Sequence, residues 1–291
     1  MTKIQGDKVW DAARSELDCW VDAGLTAKFW VRDDDAFETS QSLDRLHDLA
    51  TKHRVRIGLA VIPGKILPNL SSFLRTNTQQ FYPMCHGWMH VNHNRRNKPG
   101  EFGPDRPISK MIMDAQSALD LFSERFGEVR AIFVPPFNRV TPAMVKALPE
   151  IGFFGVSLMP NYLERKILQF GSGSAWSKLI KIPEFSGSPR IDVHLDVINW
   201  KTRTAHETKT IVDHLVRQLR ARRLGLLAAS TPIGLLTHHL AHNQGIWLAC
   251  DEALEVLQSH KAVEFIDVGR WADEYSPKLA ARRSASRKST R

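Results

Sequence analysis

His86 and His90 stand in an H-x-x-x-H spacing, with His93 three residues further on. Such a pair is a common way to set two imidazoles on one metal ion, on a helix face or in a tight loop. A second cluster, His238, His239 and His242, lies towards the other end of the chain, so two short segments hold six of the twelve histidines. Both follow apolar runs. A third apolar run ends in Arg32-Asp33-Asp34-Asp35-Ala36. Three adjacent carboxylates repel one another, and a cation among them is the simplest relief. A pair of aspartates alone is equally at home in a solvated turn or at a helix N-terminus. Two histidines and one aspartate leave a position open on a zinc-like ion, which is the catalytic rather than the structural arrangement. A spare carboxylate and a spare histidine then complete an acid/base pair. The chemistry these residues support is metal-assisted hydrolysis of an amide or ester. Val134-Pro135-Pro136-Phe137-Asn138 adds a stiff turn whose prolines fix the direction of the next backbone N–H.

Something must carry these residues to one place, and the pattern around them predicts what. Residues 7–22 have apolar positions at helical spacing, as do a segment capped by Ser40 or Ser42 and running to about His53, and Ile108 to Phe126, stopped at Gly127. Further helices are expected from Pro142 to about Leu148, over 206–223 and over 246–259. Strands are expected at 27–32, 54–63, 129–134, 153–159, 178–185, 189–199, 232–237 and 262–268. Residues 79–86 make a weaker strand because Pro83 interrupts them. The stretch 87–107 is polar, with no apolar periodicity. Apolar strands separated by helices argue for a parallel sheet. About seven of them suggest a single β/α barrel, closed, distorted or incomplete, with an open doubly wound sheet as the alternative. Function then gathers at the strand ends, where the histidines and aspartates are.

The chain has 291 residues, 43% of them apolar, ample for a core without disulfides. Six of the nine net positive charges fall in residues 276–291, which contain no acid, so residues 1–275 carry only +3. We expect one domain over 1–275, including the leading helix, followed by a basic disordered tail. With the tail set aside, no nucleic-acid partner is expected. No stretch approaches 18 consecutive apolar residues, so no membrane span is expected. The first twenty residues carry no apolar run of signal-peptide type. Cys19, Cys85 and Cys250 cannot pair completely and match no C-x-x-C spacing, which points to a reducing cytoplasm. There is no G-x-G-x-x-G after a strand and no G-x-x-x-x-G-K-[ST], so a nucleotide cradle is unsupported.

The order of these motifs resembles the polysaccharide deacetylase (NodB-homology) family. Its members show T-F-D-D-G, H-[ST]-x-x-H, R-x-P-Y-G and L-x-H at successive strand ends. The resemblance covers about residues 27–268. By position it implies that Asp34 is the general base and that Asp35, His86 and His90 are the metal ligands. It further implies that Phe137 offers its backbone N–H to the oxyanion, and that His238, in Leu236-Thr237-His238, is the general acid. Four departures stand out. Val134 replaces the arginine before the prolines, for which Arg32 or Arg139 could substitute. Gly87 replaces the Ser or Thr, and Asn138 the Gly. The family's Asp-Trp motif has no clear counterpart, although His194, Asp196 and Trp200 could line the pocket. Arg32, Asp33, Trp88, His93, Pro136, Asn138, His194, Asp196 and His239 are the candidate substrate contacts.

The expected function is metal-dependent removal of an acetyl group from an N-acetylated sugar or glycan precursor, with Zn2+ or another divalent ion as cofactor. A cytosolic amidohydrolase acting on a small amide, or a non-catalytic carbohydrate-binding barrel, are the alternatives.

Overall fold

The computed structural model describes residues 8–160, 162–170 and 189–275. The elements run α1 (Asp11–Asp22), β1 (Ala27–Ala36), α2 (Gln41–His53), β2 (Ile57–Val61), α3 (Pro68–Thr76), β3 (Phe81–His86), α4 (Ile108–Phe126), β4 (Ile132–Val134) and α5 (Pro142–Ile151). They continue with β5 (Gly155–Val156), α6 (Tyr162–Phe170), β6 (Leu195–Asp196), β7 (Ile198–Asn199), β8 (Thr204–Ala205), α7 (Thr208–Arg223), β9 (Ile233–Thr237), α8 (Gln244–Gln258) and β10 (Val263–Phe265). Eight strands form one parallel sheet in the order β5-β4-β3-β2-β1-β9-β6, with β10 pairing the start of β1. The gap between β5 and β6 is bridged by an irregular stretch. Ile191 N–H donates to Val156 O at 3.1 Å and Val193 N–H to Leu158 O at 3.0 Å, while His194 N–H reaches Gly234 O at 2.7 Å. The result is the distorted β/α barrel that the alternation of strands and helices predicts.

Side chains of β1 alternate between two cores. Phe29 and Val31 join the outer core under the helices, while Trp30 joins Ala60, Met84, Ile132, Val134, Val193 and Leu236 inside the barrel. Trp30 plugs the interior beneath the strand ends, its Nε1 donating to Asp192 O at 2.9 Å. On the neighbouring β9 only a glycine fits beside it, because a Cβ on Gly234 would overlap both Trp30 and Asp192 O. Burying side chains of this size stabilises the barrel by about 1.5–3 kcal/mol each, so the strand ends above it rest on a firm floor.

Pro83 is no obstacle in β3, and the reason is local. Gln80 O accepts from Ile57 N–H, so even-numbered residues of β3 bond towards β2. Pro83 therefore faces the other side, where pairing with β4 begins only at Cys85. Elsewhere the expectations need correction. The strand expected over 189–199 is broken into pieces, because side chains take over the ladder's work. Asp192 accepts from Leu158 N–H, His194 from Gly234 N–H, and Asp196 from Ile198 N–H. The strand expected at 153–159 shrinks to Gly155–Val156 for the same reason. The strand expected at 262–268 is only Val263–Phe265, and residues 268–275 are helical. Two short helices, α3 and α6, lie where none was expected. The strand expected at 178–185 and the basic tail at 276–291 lie outside the described residues.

Candidate metal centre

Strict alternation along β1 would point Asp34 into the barrel mouth and Asp35 away from it. A bulge prevents this: Asp33 pairs with Leu59 but Ala36 with Val61, three steps against two, and Asp35 adopts φ 74°. Both carboxylates then face the mouth. Asp35 Oδ1 lies 3.0 Å from His86 Nε2 and 3.1 Å from His90 Nε2. One ligand atom from each of the three residues lies within 4.8 Å of the others. His86 side-chain exposure is only 1%, whereas His90 and Asp35 are 21% and 31% exposed, so the cluster opens to solvent on one side.

The donor set suits a divalent cation. His86 Nδ1 lies 3.1 Å from Val134 O. A carbonyl oxygen only accepts, so Nδ1 carries the proton and a neutral His86 turns the lone pair of Nε2 towards Asp35. Two acceptors at 3.0 Å face each other unless a proton or a cation lies between them. Burial works against both charges here. Even so, hydrogen bonds with His86 and His90 hold Asp35 well below the ordinary carboxylate range, and the Asp34 and Asp35 charges lift His86 above the ordinary imidazole value.

Asp34 is buried under Arg32, whose Nε lies 2.8 Å from Oδ1 and whose Nη2 lies 2.9 Å from Oδ2. Arg32 is itself fully buried. Its Nη1 donates to Ser157 Oγ at 2.8 Å and its Nη2 also reaches Asn138 Oδ1. The Nη2 hydrogen bond, with the Nε charge close to Oδ1, holds the carboxylate in place. Across the mouth, His238 follows β9 with Nε2 3.9 Å from Asp34 Oδ2. Trp200 packs edge-on against the His238 ring at 4.7 Å and donates from Nε1 to Asp196 Oδ2 at 2.8 Å. Burial raises Asp196 above the ordinary carboxylate value, with the charge of His238 opposing it.

The turn after β4 closes the third side. Phe137 and Asn138 both hold positive φ, 59° and 53°, and the Phe137 ring lies 4.4 Å from that of His90. The loop after β3 wraps around Glu101, which no sequence motif marks. It is fully buried and accepts backbone N–H groups from Trp88 and Met89 at 3.0 and 2.8 Å.

Several candidate substrate contacts lie elsewhere. Asp33 and His239 are fully buried and face away from the mouth. Asp33 pairs with His239 Nδ1 and accepts from His239 N–H at 2.9 Å and Thr237 Oγ1 at 2.7 Å. Asp33 is an outward position of β1 and His239 opens the turn after β9, so the pair is buried behind the mouth rather than lining it. His194 is also removed from the mouth. Its Nδ1 accepts from Gly234 N–H and its Nε2 lies 3.1 Å from Arg222. Burial, with Arg222 close by, pushes its imidazole well below the ordinary value. His93 is exposed and outside the three-donor group. Trp88 is half-buried, its backbone tied to Gly64 N–H and Glu101. Pro136 is buried against Gly87. Arg139 points to Pro99 O and is not near Asp34.

No family model matches the chain, and no curated protein sequence does. Solved structures do. The peptidoglycan deacetylase PdaC from Bacillus subtilis aligns over 89% of this chain and 97% of its own, with a TM-score of 0.51 and 13% identity. A mutant of the same protein aligns with 12% identity and the same TM-score. A family 4 carbohydrate esterase from Streptomyces lividans, in complex with acetate, aligns over 81% of this chain and 90% of its own, with a TM-score of 0.48 and 10% identity. This chain has the polysaccharide deacetylase fold.

On that fold the departures from the motif pattern fall into one cluster. Val134 stands where the resemblance expects an arginine, and the arginine paired with Asp34 is Arg32, two residues ahead of it on β1. Asn138, in place of glycine, tolerates the left-handed backbone and gives its Oδ1 to the same Arg32. Asp196 and Trp200 meet at His238 although three residues separate them in sequence.

Proposed function

We propose that this protein is a metal-dependent hydrolase that removes the acetyl group from an N-acetylated sugar or glycan precursor. The observation that carries the reading is the convergence at one barrel mouth of Asp35, His86 and His90 with an Arg32-held Asp34 and with His238. Asp35, His86 and His90 would hold a divalent cation such as zinc, which supplies Lewis acidity towards the acetyl carbonyl and acidifies water.

The chain's own residues do the rest. Asp34 keeps a free lone pair on each oxygen beyond its Arg32 contacts, and Oδ2, the oxygen nearer His238, takes the proton of the attacking water. Phe137 presents its backbone N–H to the developing oxyanion, a contribution of about 3 kcal/mol for one well-placed donor. His238 Nε2 then delivers a proton to the departing amine nitrogen, a poor leaving group without it. The products are acetate and a free amino sugar. Trp200, 49% exposed beside His238, offers a flat apolar face of the kind on which a sugar ring rests.

A cytoplasmic setting belongs to the same reading, since Cys19, Cys85 and Cys250 are free, as reducing conditions leave them. Among the described residues no helix is long and apolar enough to cross a membrane. The deciding experiment is metal analysis of the purified protein together with acetate release from N-acetylated sugar oligomers and from small amides. Stoichiometric metal and acetate from the oligomers is the expected result. Turnover of small amides alone would move the assignment to an amidohydrolase, and bound metal with no turnover to a binding protein.

A further inference from the structure

The loop that carries His90 curls around a carboxylate that touches neither of the metal-side histidines. Glu101 is fully buried. Its Oε2 accepts from Trp88 N–H at 3.0 Å, and its Oε1 accepts from Met89 N–H at 2.8 Å and Val91 N–H at 3.4 Å. These amides bracket His90 on both sides, so the loop curls around the carboxylate as a backbone nest curls around an anion. His90 itself holds φ 54°, a left-handed conformation that a residue with a side chain keeps only when its surroundings impose it. Gly87, at φ 58°, is where the chain turns into the loop, and a Cβ there would overlap Glu101 Oε2 and the Pro136 ring. Only glycine lets the carboxylate reach under the loop.

Glu101 is anchored in turn. Its neighbour Phe102 packs edge-on against Phe133 of β4 at 5.1 Å, and Phe102 O accepts from Thr141 N–H at 3.0 Å. Arg106 Nη1 reaches Glu101 O at 3.4 Å. The carboxylate is thus fixed to the same strand whose Val134 O orients His86.

We infer that Glu101 is a positioning residue of the metal centre: a buried internal anion that shapes residues 87–91 and so aims His90 Nε2 at Asp35. The inference rests on the metal reading above. Asp105 provides the internal control. It is an exposed carboxylate that accepts Arg95 N–H at 2.9 Å and Arg96 N–H at 3.0 Å in the outer half of the same loop, which contains no ligand.

The test titrates metal-stripped protein with Zn2+ against a chromophoric chelator, records the visible spectrum with Co2+, and follows thermal unfolding without metal. Glu101→Gln keeps the size but turns an amide NH2 on backbone donors that need an acceptor. It is expected to weaken Zn2+ binding about 10- to 100-fold and to alter the Co2+ spectrum, while Asp105→Asn leaves both unchanged. Glu101→Asp keeps the charge but not the reach, so it should fall between, and it serves in place of Glu101→Gln if that variant does not fold. Variants that melt earlier yet bind Zn2+ and colour Co2+ like wild type overturn the inference. So does an Asp105→Asn loss as large as that of Glu101→Gln. Wild-type protein that binds no divalent ion removes the metal reading and this inference together; wild-type binding with unchanged Glu101 variants removes this inference alone.

Discussion

The two halves of the mouth are built by opposite means. On the metal side the backbone leaves its regular course at nearly every turn. Asp35, Gly87, His90, Phe137 and Asn138 all have positive φ, and a bulge interrupts β1. On the acid side His238 keeps a negative φ, −146°, directly after β9, and the strand's alternation carries it to the mouth with no bulge and no left-handed residue. Non-glycine residues in such strained conformations cost about 1–3 kcal/mol each and persist only where the surroundings over-determine them. The metal side is braced by polar side chains, buried Glu101, Arg32 and Ser157 and half-buried Asn138, while around His238, among the described residues, stand His242, the Asp33–His239 pair and Trp200. Bringing three ligand atoms to one point requires distortion; presenting one proton donor does not.

That contrast can be broken most forcefully at the ligands. His86→Ala or His90→Ala should lose most bound metal, more than the roughly 100-fold that outer supports cost, with far-ultraviolet circular dichroism unchanged. Metal content that survives both single substitutions would place the site elsewhere. Asp35→Asn should behave as they do, whereas Asp34→Asn should keep the metal and abolish turnover, separating the two adjacent carboxylates by role.

On the acid side His238→Ala should cost about 10²–10⁴ in the rate of amide hydrolysis with metal retained. An activated acetyl ester should suffer far less, since its leaving group needs no proton. Equal losses on both substrates would mean that His238 supports the fold rather than protonates the amine.

Arg32 tests the cost of the metal side's polar scaffolding. Arg32→Met leaves Asp34 as an unpaired buried charge and should destabilise by about 3–5 kcal/mol in urea unfolding. Arg32→Met combined with Asp34→Asn should recover much of that loss while remaining inactive. If the double variant is no more stable than the single one, Arg32 matters through packing and its bonds to Ser157 and Asn138.

How much of this was legible in the sequence follows the same divide. The H-x-x-x-H pair, the strand-end position of the aspartates and the L-x-H alternation read directly, because fixed spacing and strand period determine them. The bulge at Asp35 leaves no mark in residue types. Plain alternation separates outward Asp33 from inward Asp34, but it also turns Asp35 outward, and only the bulge brings Asp35 to the mouth beside Asp34. Arg32 and Arg139 are equal candidates for the partner of Asp34 in the sequence, and it is the structure that places Arg32 against Asp34 and Arg139 against Pro99 O. Glu101 carried no signal at all: its partners are backbone amides ten to thirteen residues away, and any polar loop contains a glutamate. The barrel read well where strands are apolar. It read poorly over 189–199, where the side chains of Asp192, His194 and Asp196 take backbone donors in place of a ladder.

The smallest effect concerns pH, on the acid side. His242 Nε2 accepts from His238 N–H at 3.3 Å, and its ring packs edge-on against Trp247 at 4.3 Å. Its Nδ1 has no partner among the described residues. Burial pushes its pKa down to about 4, Asp33 opposing the shift. The unfolded chain titrates this imidazole near 6.5. Between those values the unfolded state binds a proton that the folded state refuses. Stability from His242 is therefore complete above about pH 6.5 and is lost as pH falls towards 4. Linkage across the fall from pH 7 to pH 5 gives at most about 2 kcal/mol, and solvent access to the partly exposed ring reduces this to about 1 kcal/mol. Metal-stripped protein is the right sample, because ligand protonation adds its own pH dependence when metal is bound. His86 works in the opposite direction, its raised pKa favouring the folded state at low pH, so the comparison must be between variants and not between pH values alone. His242→Gln keeps an acceptor for His238 N–H and cannot titrate. The loss of unfolding free energy from pH 7 to pH 5 should be about 1 kcal/mol smaller in this variant than in wild type. Equal losses would mean that His242 is charged in the folded protein, with Asp33 outweighing burial, and the acid side would then hold a second ion pair behind His238.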